Sequence, residues 1–182
     1  MLKIFAVESE RSERHEAARR ILEWKYEEIW NKPQPDIQIG EFGKPHFGNA
    51  EEYFSFSYTE GLAFCAISDG EIGLDVEKVR SVSSAAISKV LSREEWLYYS
   101  GSSNPAEAFM RFWTLKEAYC KFTGQGIAQQ SLKDLVFDLS GDHPVLLSRQ
   151  DLRFWCRCIG DVVISVCADR AHRPELYSLE LM

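Results

Sequence analysis

Asp75 and Glu77 stand two residues apart in the stretch GLDVEK (73–78). Further along, Trp113, Glu117 and Lys121 stand four apart in RFWTLKEAYCKFTGQG (111–126). Side chains alternate across a strand, so the two acids of GLDVEK share one face while Ile72, Leu74 and Val76 take the other. Residues four apart stack along one side of a helix, which sets a carboxylate beside an ammonium and below an indole. Taken singly, each pattern has an ordinary reading: acids on a solvated strand face, or a Glu–Lys surface pair worth roughly a few tenths of a kcal/mol. Taken together with the loop GKP (43–45), three carboxylates and a helix lysine suit the task of holding a divalent metal against a polyphosphate. Mg²⁺ prefers hard oxygen ligands and takes only a few of them from protein, the rest coming from phosphate and water.

Those side chains need elements to carry them. A strand, LKIFAVES, opens the chain, and a helix follows from about Ser12 with apolar positions Ala18, Ile21, Leu22, Ile29 and Trp30 near helical spacing, ended by Pro33 and Pro35. Residues 36–47 read as an extended and turning segment holding GKP. Tyr53 to Tyr58 alternates aromatic with polar residues as a half-buried strand, and Leu62 to Ile67 follows as a second. Asp69-Gly70 carries a type I′ hairpin signal leading into GLDVEK. Ser83 to Leu91 reads as a short helix, and Ser92 with Glu95 as a capping box opening another. Asn104-Pro105 starts the helix that carries Trp113, Glu117 and Lys121 and should stop at Gly124. The remainder reads as antiparallel strands with turns at Gly141-Asp142 and Gly160-Asp161, followed by a short tail. Each half of the chain thus offers a helix and about three strands.

A chain of 182 residues that is 45% hydrophobic and 13% aromatic has enough apolar mass for a folded core. A net charge of −7 argues against wholesale binding to nucleic-acid backbones, so an anionic ligand must meet a local basic pocket. No run approaches the roughly 18 apolar residues that cross a bilayer, and the opening MLKIFAVESERSERHE turns charged too soon for a signal peptide. The expected location is cytoplasmic, without a membrane partner. Cys65, Cys120, Cys156, Cys158 and Cys167 lack paired zinc-type spacing and read as reduced thiols.

GLDVEK, then WTLKEAYCKFTGQG, with GKP and FSFSYTEG upstream, resembles the 4′-phosphopantetheinyl transferases of the Sfp type. That family's signatures are a G-[IL]-D-x-E block and a W-x-x-K-E-x-x-x-K block, and the likeness runs from about Gly43 to Gly126. The resemblance implies an α+β fold of two similar α/β halves related by a pseudo-twofold, each with a small antiparallel sheet and a long helix. Residues 1–72 would form the nucleotide side and 73–182 the half with the metal site. Coenzyme A and Mg²⁺ would lie in the cleft between them. By position, Asp75, Glu77 and Glu117 would be the metal ligands and Lys121 would face the pyrophosphate. Lys44 and Pro45 would meet the nucleotide phosphates, and Ser57 and Tyr58 would lie on the strand that holds the 3′-phosphate. Tyr58 stands where the family usually has histidine. A phenol donates one hydrogen bond but does not become cationic near neutral pH, which either weakens the grip on that phosphate or hands it to an arginine such as Arg19 or Arg20.

The activity implied is Mg²⁺-dependent transfer of 4′-phosphopantetheine from coenzyme A to a serine of an apo acyl- or peptidyl-carrier protein, releasing 3′,5′-ADP. Glu117, Glu95 or a water on the metal would take the serine proton, although Glu95 has the capping box as its structural alternative. Trp113 reads as a packing anchor. An acidic carrier helix would need a local basic or apolar patch, for which Arg80, Lys89, Arg93 and Arg111 are candidates, with Ala86, Ile87 and Val90 as an apolar contact or simply core. A monomer is expected. Two other readings stay open: a non-catalytic coenzyme A-binding regulatory or interaction protein of the same fold, and a Mg²⁺-dependent phosphoryl or nucleotidyl enzyme of another kind.

Overall fold

The protein is described here from a computed structural model over residues 1–169 and 178–181. In chain order the first part is β1 (Leu2–Glu8), α1 (Arg14–Trp30), β2 (Ile37–Ile39), β3 (Pro45–Phe47), β4 (Tyr53–Thr59) and β5 (Leu62–Ser68). Then come β6 (Ile72–Lys78), α2 (Ser84–Val90), α3 (Arg93–Gly101) and α4 (Pro105–Thr123). The last strands are β7 (Phe137–Asp138), β8 (Val145–Leu146), β9 (Leu152–Ile159), β10 (Val162–Asp169) and β11 (Ser178–Leu181).

Two sheets carry the fold, one ordered β11-β1-β5-β4 and the other β6-β10-β9. Pairing is antiparallel throughout except between β1 and β11, so residues 178–181 return to the first sheet rather than extending the second. The alternation of β1, β5, β6 and β10 explains the layering. Leu2, Ile4, Ala6, Phe64 and Ala66 of the first sheet meet Ile72, Leu74, Val76, Val162, Ile164 and Val166 of the second in one core. The opposite face of the first sheet, with Phe5, Cys65 and Ile67, packs on Ile21, Leu22 and Tyr26 of α1. The opposite face of the second, with Phe154, Val163 and Cys167, packs on Phe112, Leu115 and Ala118 of α4. Each sheet is therefore covered on both sides, which is why β5 is apolar at nearly every position instead of every other one.

α4 begins and ends where its sequence says. Asn104 caps the helix by accepting from the Glu107 amide, Pro105 takes the first turn, and Gly124 closes it at φ 71°. The Asp69-Gly70 signal, in contrast, does not make a hairpin. β5 and β6 belong to different sheets, and Gly70 is not among the residues with positive φ that a type I′ turn requires. Ser68 Oγ instead accepts the Gly70 amide, and the chain crosses between layers there. The reason lies beyond the turn: the Gly73, Asp75, Glu77 face of β6 has to meet α4, and β10 supplies an antiparallel partner from Ile72 to Lys78. The tight glycine turns fall at Gly61 (φ 78°), between β4 and β5, and at Gly160 (φ 62°), between β9 and β10.

Gly73 sets how closely α4 lies on β6. A Cβ built there overlaps the Ala118 carbonyl and the Phe122 amide, both main-chain atoms that cannot swing aside. Gly73→Ala is therefore expected to cost about 3 kcal/mol, at the upper end of overpacking effects, measured as a lowered denaturant midpoint with the m-value unchanged.

Candidate active site

The edge strands of the two sheets are joined by side chains rather than by a main-chain ladder. Ser55, Ser57 and Thr59 of β4 accept the amides of Leu74, Val76 and Lys78 of β6, each at 3.0 Å. Alternation then turns Phe54, Phe56 and Tyr58 toward a cleft of about 550 Å³, bounded by α1, the β2–β3 turn and the C-terminal half of α4. Its wall includes His15, Arg19, Phe42, Tyr58, Glu117 and Lys121.

At one end lies Glu117, with Asp75 and Glu77 set back from the wall. Asp75 is 6% exposed; its Oδ1 accepts from Lys121 Nζ at 2.8 Å and from Ser57 Oγ at 3.0 Å, while its buried Oδ2 has no partner. Glu117, one turn before Lys121 on α4, is 8% exposed. Burial first, then the Asp75 charge, pushes its carboxyl up to about 7, with Lys121 opposing and Glu77 adding. Glu77 is half-buried and is raised by burial and by Asp75. It is held back by Arg80, 3.7 Å away, by a hydrogen bond from Trp113, and by Lys121. Trp113 packs against Phe109 on the same helix.

Among the described residues no three Asp, Glu, His or Cys side chains are gathered closely enough to enclose an ion as they stand. What fits a hard cation is the donor set itself: a bare, buried carboxylate oxygen on Asp75, whose charge raises the proton affinity of two further acids, Glu77 and Glu117.

The other end is basic. Tyr58 lies under an edge-on contact from the His15 ring, with centroids 4.5 Å apart, and under the Arg14 guanidinium, 5.5 Å from its ring centre. Burial pushes the Tyr58 phenol up to about 12, so it serves as a neutral donor. Arg19 lies one helical turn beyond His15 and lines the same cleft. Arg20 does not, and it pairs instead with Glu16 in solvent. Sequence reasoning passed over His15 and Arg14. The spacing of His15 and Arg19, four apart on α1, was the available signal.

Three expected positions have partners that the sequence did not foretell. Glu95 is 1% exposed and lies away from the cleft. Its Oε2 takes the Ser92 amide of the capping box and Lys116 Nζ, and its Oε1 takes the Phe137 amide, so both oxygens are held by partners away from the cleft. Lys116, fully buried, directs its three N–H bonds to Glu95, the Val90 carbonyl and the Leu132 carbonyl. Glu95→Ala strands that ammonium and is expected to cost about 3–5 kcal/mol in chemical denaturation, whereas Glu95→Ala paired with Lys116→Met should recover most of it.

Ser57 faces β6 and the acids rather than the open wall that Phe56 and Tyr58 form. Lys44 lines the cleft together with Pro45, but its ammonium is held by Glu71 and by the Phe122 carbonyl, which ties the β2–β3 turn to the end of α4.

The model of the 4′-phosphopantetheinyl transferase superfamily matches residues 71–167, which include GLDVEK, α4 and the second sheet; the chain belongs to that family. Curated relatives include the 4′-phosphopantetheinyl transferase HetI of Nostoc sp., 38% identical over 114 residues, which are 58% of this chain and 47% of that one. The 4′-phosphopantetheinyl transferase gsp of Aneurinibacillus migulanus is 28% identical over 104 residues, 55% of this chain and 44% of its own. The L-aminoadipate-semialdehyde dehydrogenase-phosphopantetheinyl transferase of Saccharomyces cerevisiae is 27% identical over 168 residues, 78% of this chain and 61% of its own. The chain spans about half the length of the first two. Among solved structures, the holo-[acyl-carrier-protein] synthase of Thermotoga maritima aligns at a TM-score of 0.48 with 22% identity, covering 54% of this chain and 62% of that one. Among the described residues no helix is long and apolar enough to cross a membrane.

Proposed function

We propose that this chain transfers 4′-phosphopantetheine from coenzyme A to a serine hydroxyl of an acyl- or peptidyl-carrier protein, with Mg²⁺ as cofactor. The observation that carries the reading is a single cleft with two chemical ends. Glu117 and Lys121 line it at one, with Asp75 bonded to Lys121 behind them, and His15, Arg19 and Tyr58 line it at the other, with Arg14 over the Tyr58 ring. A ligand with a diphosphate in its middle and a phosphomonoester further out matches that order of charges.

In this reading Asp75, Glu77 and Glu117 would hold the cation, and Mg²⁺ bound there would supply neutralisation of charge on the diphosphate. Lys121, fixed on Asp75 and on the Phe56 carbonyl, presents its ammonium to the same oxygens and stabilises the negative charge that builds on the leaving group. The carrier serine oxygen forms its bond to the phosphorus bearing pantetheine while the bond to 3′,5′-ADP breaks in line. Of the two acids considered for the serine proton, Glu117 reaches the cleft and Glu95 does not. The basic residues of α1, with Tyr58, bind the outer phosphate and orient the nucleotide.

The test is direct: incubate the protein with Mg²⁺, coenzyme A and an apo carrier domain, and weigh the carrier. A gain of about 340 Da, the mass of the transferred group, is the expected result. Coenzyme A binding without any mass gain across acyl- and peptidyl-carrier substrates would overturn the reading.

A further inference from the structure

Resting on the reading of Asp75 as a metal ligand, we infer that Ser57 is a positioning residue that fixes the orientation of the Asp75 carboxylate, with one oxygen filled and the other left for the cation. Ser57 is 2% exposed, and all three of its hydrogen-bonding directions are occupied. Its Oγ receives the Val76 amide at 3.0 Å and Lys121 Nζ at 3.1 Å. An amide and an ammonium only donate, so between them they take both lone pairs of the hydroxyl. The hydroxyl proton is left one direction, toward Asp75 Oδ1 at 3.0 Å.

Oδ1 is then filled by two donors, Ser57 and Lys121, and Oδ2 is the oxygen left bare. Rotating the carboxylate out of this orientation would break two charge-assisted bonds at once. Because Ser57 also holds the amide of the very next residue, Val76, it fixes the side chain and the main chain of this part of β6 together.

The neighbouring rungs separate this role from simple joining of the sheets. Ser55 and Thr59 make the same bond to β6 amides at the same 3.0 Å, and the only hydroxyl of the three seen to donate to a carboxylate, among the described residues, is that of Ser57. Thr59 also lies off the wall of the cleft, which makes it the matched control.

The experiment uses the full chain, stripped with chelator and titrated with Mn²⁺ alone, the free ion being counted by electron paramagnetic resonance. Ser57→Ala is expected to bind Mn²⁺ about tenfold or more weakly, the usual consequence of removing a partner from behind a ligand. Thr59→Val should bind as the parent does, although it also gives up a rung, and Ser57→Thr, which keeps the hydroxyl, should recover the affinity. If Ser57→Ala folds poorly, Ser57→Cys, similar in size but a weak donor, carries the same expectation.

Ser57→Ala binding within about twofold of the parent, while Asp75→Ala has lost the ion, overturns the inference and leaves the metal site standing. Equal weakening by Thr59→Val also overturns it, because the effect then belongs to the joint between sheets. If Asp75→Ala binds Mn²⁺ like the parent, the metal reading itself has failed.

Discussion

Asp75→Ala is expected to abolish divalent-cation binding and to lower transfer to a carrier by at least about 10³-fold, since a metal's charge stabilisation is worth several kcal/mol at roughly 1.4 kcal/mol per tenfold. The fold should survive. Asp75 is buried, but its partner Lys121 keeps the Phe56 carbonyl and the Ser57 hydroxyl, and about a third of that lysine side chain remains in solvent. The substitution also removes the charge that raises both Glu77 and Glu117. Circular dichroism should match the parent while the carrier mass gain disappears. Full activity in this variant would remove Asp75 from the metal site.

Glu117→Gln should separate stability from function. The Glu117 carboxyl is pushed from an ordinary value of 4.5 up to about 7 in the folded protein, mainly by burial and then by Asp75. A raised folded value means that the native state binds the proton more tightly. The favourable contribution is therefore complete below about pH 4.5 and is lost as the pH rises through about 7. Above that, the buried charge costs about 3 kcal/mol in the absence of a cation, because each tenfold gain in proton affinity on folding corresponds to roughly 1.4 kcal/mol. Glu117→Gln is accordingly expected to leave stability in chelator nearly unchanged at pH 4.5 and to raise it by up to about 3 kcal/mol at pH 8. Carrier modification should be lost in the same variant. Denaturant melts across that pH range check it: a gain at pH 8 no larger than at pH 4.5 would mean that Glu117 is not held out of water with the other acids. Residues that carry such a penalty in the resting protein are those a bound cation can relieve.

What the sequence made legible here is what depends on near neighbours. The Ser92–Glu95 capping box, the Asn104 cap, Pro105 and the Gly124 stop all rest on contacts within a few residues, and each forms as read. The face shared by Asp75 and Glu77 follows from strand alternation, and the face shared by Trp113, Glu117 and Lys121 from helical spacing. The closeness of those two faces does not follow from either. It depends on α4 lying across Gly73, a contact whose requirement shows only once both elements are placed. The Asp69-Gly70 signal failed for a related reason: a turn sequence proposes a partner, but the choice of β10 for β6 is made by burial on both faces. Ser57 lies on the strand to which the sequence assigned it, but which side of that strand it takes was not read. The aromatic residues on either side of it form the cleft wall, and its hydroxyl belongs to the acids. His15 has no motif to announce it, and its proximity to Tyr58 comes only from the docking of α1 on the first sheet.

Two neighbouring strands are ordinarily stitched by main-chain atoms, which are the same whatever the residue, so only drastic substitutions can loosen the join. Between β4 and β6 the stitches are hydroxyls at three alternate positions. Each is specified by one codon, so the strength of this seam is open to single-step adjustment by mutation, at three separate positions, of which the middle one also bonds to an acid.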